Sequence, residues 1–477
     1  MPEIFCPPNR RHFVLIASVL ASSMGFIDGT IVSIALPAMR ESLNAGLFQA
    51  QWFQNAYMLF LSALILLGGA MGDRYGTSRV FRLGIIGFVI ASLLCAFAPT
   101  AELFILARAC KGAAAAFMIP GSLAMLSRAY PEEDRGRAIG LWAAASAVTT
   151  ASGPIVGGLL LSFGDVDVWR FIFAINLPLG IIAVWVLSRA QVTDTHAAAD
   201  HPLDIAGALA ATVSLGAIAY GFTLLDQGIA KAGPVLAGGG VVLVAFIWIE
   251  TRAAAPMLPM SLFRNRAFSA ANAATLLLYG SLSVVLLFLP MTVVSGWDLL
   301  EIEAAFAFAP LSIFIALLSS RVGRLADTYG PRALIAAGAV CATAGYCIVA
   351  ATAEWIAFWT ATMPGMTLVG IGMAAVVAPL STAVMKSAPD DLAGAASGVN
   401  NAVSRIAGLL GVAIAAYLAA RLYDGDLSFA AAHGSDAHIA ETNAAFAGIA
   451  YLSAIMAFAA SVIAWFGIGK TVGQSVG

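Results

Sequence analysis

Gly69 to Arg79 reads GAMGDRYGTSR, and Gly323 to Arg332 reads GRLADTYGPR. Gly69, Asp73 and Gly76 of the first stretch align with Gly323, Asp327 and Gly330 of the second at identical spacing, and Tyr75 aligns with Tyr329. Glycine permits a tight turn, and aspartate caps the next helix or pairs with an arginine such as Arg74 or Arg332. One such loop is ordinary, because short polar loops favour Gly, Asp and Arg. Two in register, each following the second apolar run of a block of six, imply a duplicated block.

Working outward from these loops, the chain is a succession of apolar runs. Of its 477 residues, 61% are hydrophobic and only 10% charged, with a mean hydropathy of +0.91. Soluble domains carry about a quarter charged residues, so this composition belongs in a bilayer. A membrane helix needs roughly 20 apolar residues. Fourteen runs qualify, near 13–37, 50–71, 80–98, 101–127, 136–162, 168–188, 204–225, 232–250, 268–294, 303–320, 333–352, 355–380, 392–420 and 444–467. The expected fold is an all-α membrane protein of fourteen transmembrane helices. Two six-helix parallel-repeat bundles, 1–190 and 256–477, flank an extra two-helix hairpin within 191–255.

Charge sets the orientation, since cytoplasmic loops are rich in Lys and Arg. With the N-terminus inside, 17 of the 24 Lys and Arg residues fall on the inner side and four on the outer, the other three lying within runs. Both termini are therefore expected in the cytoplasm of a multi-pass protein of the cell (inner) membrane. Arg10 and Arg11 before the first run imitate a signal peptide, but that run is too long and becomes the first membrane helix. Trp169, Trp297, Trp355 and Trp465 stand near predicted membrane borders, where Trp is enriched. A net charge of −2 offers nothing to nucleic acid. The five cysteines lack metal spacing, and the five histidines lie at borders or in loops without acidic partners on a helix. No metal, cofactor or enzymatic centre is expected. No GxxxxGK[ST] phosphate loop occurs in the chain, so uphill work would draw on an ion gradient.

Ionisable residues inside a bilayer are expensive and are functional candidates. Asp28 lies about 14 Å below the outer surface, counting from Pro37 at 1.5 Å per residue. Arg108 and Lys111 reach about 10 and 15 Å from the start of run four. The three share one level, which places Asp28 against Arg108 or Lys111 between helices one and four, as a proton site or as a structural ion pair. Arg405 lies mid-run beside Asn400, Asn401 and Ser404. It reads either as a cavity residue or as a partner for a carbonyl. Glu250, at a helix end, reads as snorkelling to water. Val148 to Leu161, VTTASGPIVGGLLL, concentrates Gly153, Pro154, Gly157 and Gly158 in one run. In a membrane that pattern gives a bent helix packed close to a neighbour.

Together these stretches resemble the major facilitator superfamily. GDRYG and ADTYG look like its loop signature, and FIDGTIVSIALP (26–37) like the first-helix motif of its drug:proton antiporters. RACKG (108–112) is similar to the fourth-helix motif, SGPIVGG (152–158) to the fifth-helix antiporter motif, and WRFIFAINLPLG (169–180) to the sixth-helix start of the fourteen-helix branch. The resemblance implies two halves rocking about a midplane cavity, with proton entry driving export of small amphipathic molecules. It implies a proton-transfer role for Arg108 and a gating role for Asp73 and Arg74, the alternative for that loop being a solvated turn. Lys111 departs from the pattern, where a Gln is usual. A second cation there either tightens the hold on Asp28 or attracts an anionic substrate. Export of a dedicated metabolite and uptake by symport are the alternatives. The expected partners are a small-molecule substrate, protons and the lipid bilayer, acting on a monomer.

Overall fold

The computed structural model describes residues 5–162, 166–194, 203–225, 228–253, 256–389, 392–422 and 436–469. These residues form helices and no strand. The first block contains α1 (Arg11–Ser42), α2 (Leu47–Tyr75), α3 (Thr77–Ala96), α4 (Ala101–Ala129), α5 (Glu132–Ser162), α6 (Trp169–Ala174) and α7 (Asn176–Arg189). The hairpin is α8 (Ile205–Leu224) and α9 (Ile229–Arg252). The second block contains α10 (Arg266–Met291), α11 (Glu301–Phe306), α12 (Ala309–Tyr329), α13 (Pro331–Ala351), α14 (Met363–Lys386), α15 (Ala393–Leu422) and α16 (Asp436–Gly467). Thirteen spans are long and apolar enough to cross a membrane among the described residues, with α6–α7 and α11–α12 each acting as one span. The 31-residue α5 is the fourteenth long helix.

The duplication appears as packing. In the first block α4 lies on α2 and α3, α1 on α5 and α7, and α3 on α7. In the second, α14 lies on α12 and α13, α10 on α15 and α16, and α13 on α16. Each contact of one block has its counterpart in the other. The two loops repeat as well. Gly76 and Gly330 end α2 and α12 with φ of +101° and +83°, a region only glycine enters without strain. Their N–H groups donate to Gly72 O at 3.1 Å and Ala326 O at 3.0 Å.

The blocks meet where α2 packs on α15, α5 on α11 and α12, and α1 on α10. From Ile31 to Leu43, the buried side of α1 joins one apolar cluster with Leu282–Val293 and Ala304–Phe308 of the second block. That cluster covers the side of Asp28 nearer the α1–α2 turn. In the hairpin, α8 packs on both α2 and α15 through Leu59, Leu215, Ala219, Leu409 and Ala413. Only 11% of the apolar window of α9 is buried, so most of its surface is left to lipid.

Two details differ from the sequence reading. Glu250 does not snorkel: it is buried, and its Oε2 accepts the Leu258 N–H at 2.9 Å. The chain after α9 folds back over the helix end and supplies the donor that water would have provided. Trp169 and Trp297 are buried in protein, while Trp355 and Trp465 are exposed. The Trp297 Nε1 donates to Asn443 Oδ1 at 2.7 Å. Packing partners therefore hold two of the four rings that pattern alone assigned to the membrane border.

Candidate functional site: a buried charge triad

α4 carries the site and is held unusually close to α2. A Cβ at Gly68 would overlap the Ala116 carbonyl, and one at Gly112 would overlap the Tyr57 carbonyl. Small residues at such crossings let backbones approach. This proximity lets the Arg108 Nε donate to the Phe53 carbonyl at 2.7 Å. Pro120 lies further along α4, past the charges.

Asp28 projects from α1 to the same level. Its Oδ2 accepts Arg108 Nη1 at 2.5 Å, and its Oδ1 accepts Lys111 Nζ. Asp28 is 2% exposed, and Arg108 and Lys111 are 0%. Both oxygens of the carboxylate are thus occupied by cations. Aromatic faces enclose the remainder. Arg108 stands 4.4 Å over the Tyr57 ring, and Lys111 stands 4.7 Å over Phe88 and 4.6 Å over Phe173. Cation–π attraction replaces part of the lost hydration. Phe53, Phe104, Trp169 and Phe173 stack edge to face behind the triad, with centroids 4.7 to 6.0 Å apart. Arg108 Nη2 and the Tyr57 hydroxyl are buried without a hydrogen-bond partner. As two cations against one anion, the triad carries a net charge of +1.

Burial penalises every charge, and the carboxylate offsets that cost for both cations at once. Protonating Asp28 would release both cations together. Neither α1 nor α4 can shift without altering the geometry that stabilises the charged form.

The pattern of the family described as Major Facilitator Superfamily matches residues 18–412. The chain belongs to the major facilitator superfamily. It is 33% identical over 469 residues to a puromycin resistance protein of Streptomyces alboniger, covering 95% of this chain and 92% of that one. It is 31% identical to a methylenomycin A resistance protein of Streptomyces coelicolor, covering 85% and 86%. Among solved structures, a bacterial homologue of the lysosomal transporter Spinster, inward-facing and unoccupied, matches with a TM-score of 0.70 at 16% identity, covering 97% of each chain. A D-xylose–proton symporter matches at 0.66 and 13%, covering 98% and 99%. At those identities the structures report the fold alone. Family and fold make this a multi-pass membrane protein built for transport.

On this facilitator scaffold, the other sequence-selected residues are dispersed. Gly153 and Gly157 face α1: a Cβ at Gly153 would overlap Thr30 Oγ1, and one at Gly157 would come within 2.6 Å of Ile31 Cγ1. Gly158 is buried. α5 thereby clamps the stretch of α1 that follows Asp28. Pro154, Asp73 and Asp327 lie in helices, but their side chains fall outside the described set. Gly69 is half-buried and Arg74 exposed, and Arg74 stands 5.6 Å over the Tyr75 ring. Gly323 sits against α14, with Ala378 3.8 Å from where its Cβ would be. Arg332 stacks 4.4 Å over Trp465. The Asn400 Nδ2 donates to Thr275 Oγ1 at 2.7 Å and Asn272 Oδ1 at 3.2 Å, joining α15 to α10. Asn401 is exposed. Arg405 is half-buried, with its Nε unpartnered.

Sequence reasoning missed two groups. The aromatic residues around the triad come from α2, α3, α4 and α6, and nothing in their spacing marks them as neighbours of a charge. Asp194, after α7, accepts the N–H groups of Ser78 at 2.9 Å and Arg79 at 3.0 Å, capping α3 next to the Gly76 turn. Its signal was faint: one of several aspartates in a polar linker.

Proposed function

We propose that this protein is a secondary active exporter of small amphipathic compounds, driven by proton entry through alternating access of its two blocks. The observation that carries the reading is the Asp28–Arg108–Lys111 triad, buried at mid-depth between α1 and α4. A charge cluster kept in a bilayer interior calls for a use that offsets its desolvation. Proton binding at Asp28 loosens the triad, and proton release re-forms it. In this scheme α1 and α4 transmit the change to the block interface, while Asp73 and Arg74 gate the cytoplasmic side. The protein works as a monomer in the cell membrane with both termini in the cytoplasm, and it acts on no bond.

Relatives support export over uptake. Besides the two resistance proteins, similar chains include a probable actinorhodin transporter of Streptomyces coelicolor, 30% identical over 426 residues. That name also favours a second reading, export of one dedicated metabolite, which shares the mechanism and differs in breadth.

The test is efflux from vesicles under an imposed pH gradient, with and without an uncoupler. Efflux is expected to stop when the gradient collapses. Efflux that ignores the uncoupler rules out proton coupling.

A further inference from the structure

Arg405 has no carboxylate partner among the described residues. It lies twelve residues into α15, about 18 Å along the helix axis. Arg108 and Lys111 occupy both oxygens of Asp28. Among the described residues no carboxylate pairs with Arg405, and its Nε is buried without a hydrogen-bond acceptor. Ala402 and Ile406, on either side of Arg405, pack into the apolar clusters that hold Tyr57 and Leu59 of α2, and α15 packs on α10 as well, so this stretch of α15 lies at the block interface. The Tyr57 ring in turn supports Arg108, and the Tyr57 hydroxyl is itself unpartnered. The neighbouring amide is committed elsewhere, because Asn400 bonds α10. The block interface therefore holds a guanidinium with no carboxylate partner among the described residues and, across from this stretch of α15 on α2, a buried hydroxyl without a hydrogen-bond partner.

We infer that the transported molecule carries an anionic group, a carboxylate or an acidic phenolate, which Arg405 pairs with and the Tyr57 hydroxyl orients. The inference rests on the export reading above and names the substrate class for it. The chemistry is that of a guanidinium fork: two parallel N–H donors match a carboxylate, and a low-dielectric surround strengthens the pair. A cationic substrate would face like charges on both sides. The apolar body of the molecule would lie along the α2 and α15 surfaces that join the blocks.

Two dyes sharing a xanthene frame test it, fluorescein as the anion and rhodamine 123 as the cation. Their gradient-driven movement is measured in proteoliposomes of wild type, Arg405→Gln and Arg405→Lys, and their binding to the purified proteins by fluorescence anisotropy. Fluorescein is expected to move and bind in wild type, to lose about tenfold or more in affinity in Arg405→Gln, and to recover partly in Arg405→Lys. Melting curves of the variants separate lost recognition from lost folding, and the wild-type dye comparison stands whether or not the variants fold. Rhodamine 123 moving while fluorescein does not overturns the anion assignment and leaves the export reading intact. Fluorescein binding that is unchanged in a folded Arg405→Gln protein overturns it as well. If neither dye moves in wild type under the gradient, the export reading fails and the substrate class fails with it.

Discussion

Asp28 is the residue on which, under the proposed mechanism, stability and function are coupled. Its two oxygens hold two otherwise unpaired buried cations. Removing one member of a buried ion cluster typically costs about 3–5 kcal/mol, because the partners stay behind uncompensated. Asp28→Ala is therefore expected to lower the melting temperature of the purified protein clearly. Asp28→Asn keeps the volume and one accepting oxygen, though its NH2 group is a donor that cannot receive the second cation, and should lose less than Asp28→Ala through the packing it retains. Both variants should fail to couple efflux to a pH gradient, and Asp28→Asn is the informative one because it separates charge from volume. Normal coupled transport by a stable Asp28→Asn protein would remove Asp28 from the proton pathway. The shared depth of Asp28, Arg108 and Lys111 was legible by counting residues along helices. That both cations reach the same carboxylate was not, because it depends on how α1 and α4 are rotated.

At the level of elements, the turn between α2 and α3 shows a loop motif completed from afar. Gly76 supplies the positive φ, and the caps on the following N–H groups come from Asp194, over a hundred positions later. A carboxylate at a helix N-terminus satisfies orphan donors and meets the positive end of the dipole. Asp194→Ala should cost about 0.5–2 kcal/mol, the usual range for a lost N-cap. Hydrogen exchange at the Ser78 and Arg79 amides is the measurement, with faster exchange expected there than in the middle of α3. Equal protection in variant and wild type would mean the cap is dispensable. α8 and α9 divide their work in a way composition alone does not show. Both are apolar, yet α8 bridges α2 and α15 while α9 is left mostly to lipid.

For the whole molecule, transport by rocking requires the blocks to separate at one end and then at the other. α2 and α15 come together where Leu66 Cδ2 lies 2.8 Å from the position of a Cβ on Gly398. A Leu66→Cys/Gly398→Cys pair, in a protein lacking the five native cysteines, should be bridged by a short bifunctional thiol reagent. Bridging should stop transport, and a reagent with a reducible spacer should allow its recovery on reduction. Undiminished transport across a complete cross-link would show that α2 and α15 stay together through the cycle. The repeated contact pattern of the two blocks supplies the symmetry such a motion needs.

The amino-acid sequence alone determined the membrane class, the span pattern, the duplicated loops and the few charges held at depth. Those features are local: apolar runs need length, turns need glycine, and a charge in such a run stands out whatever its neighbours. Tertiary structure alone decided which oxygen meets which cation, which aromatic rings enclose the triad, that Glu250 is covered by the chain beyond it, and that Arg405 has no carboxylate partner among the described residues. These depend on helix rotation and on contacts between residues scores or hundreds of positions apart. One-dimensional spacing carries no record of them.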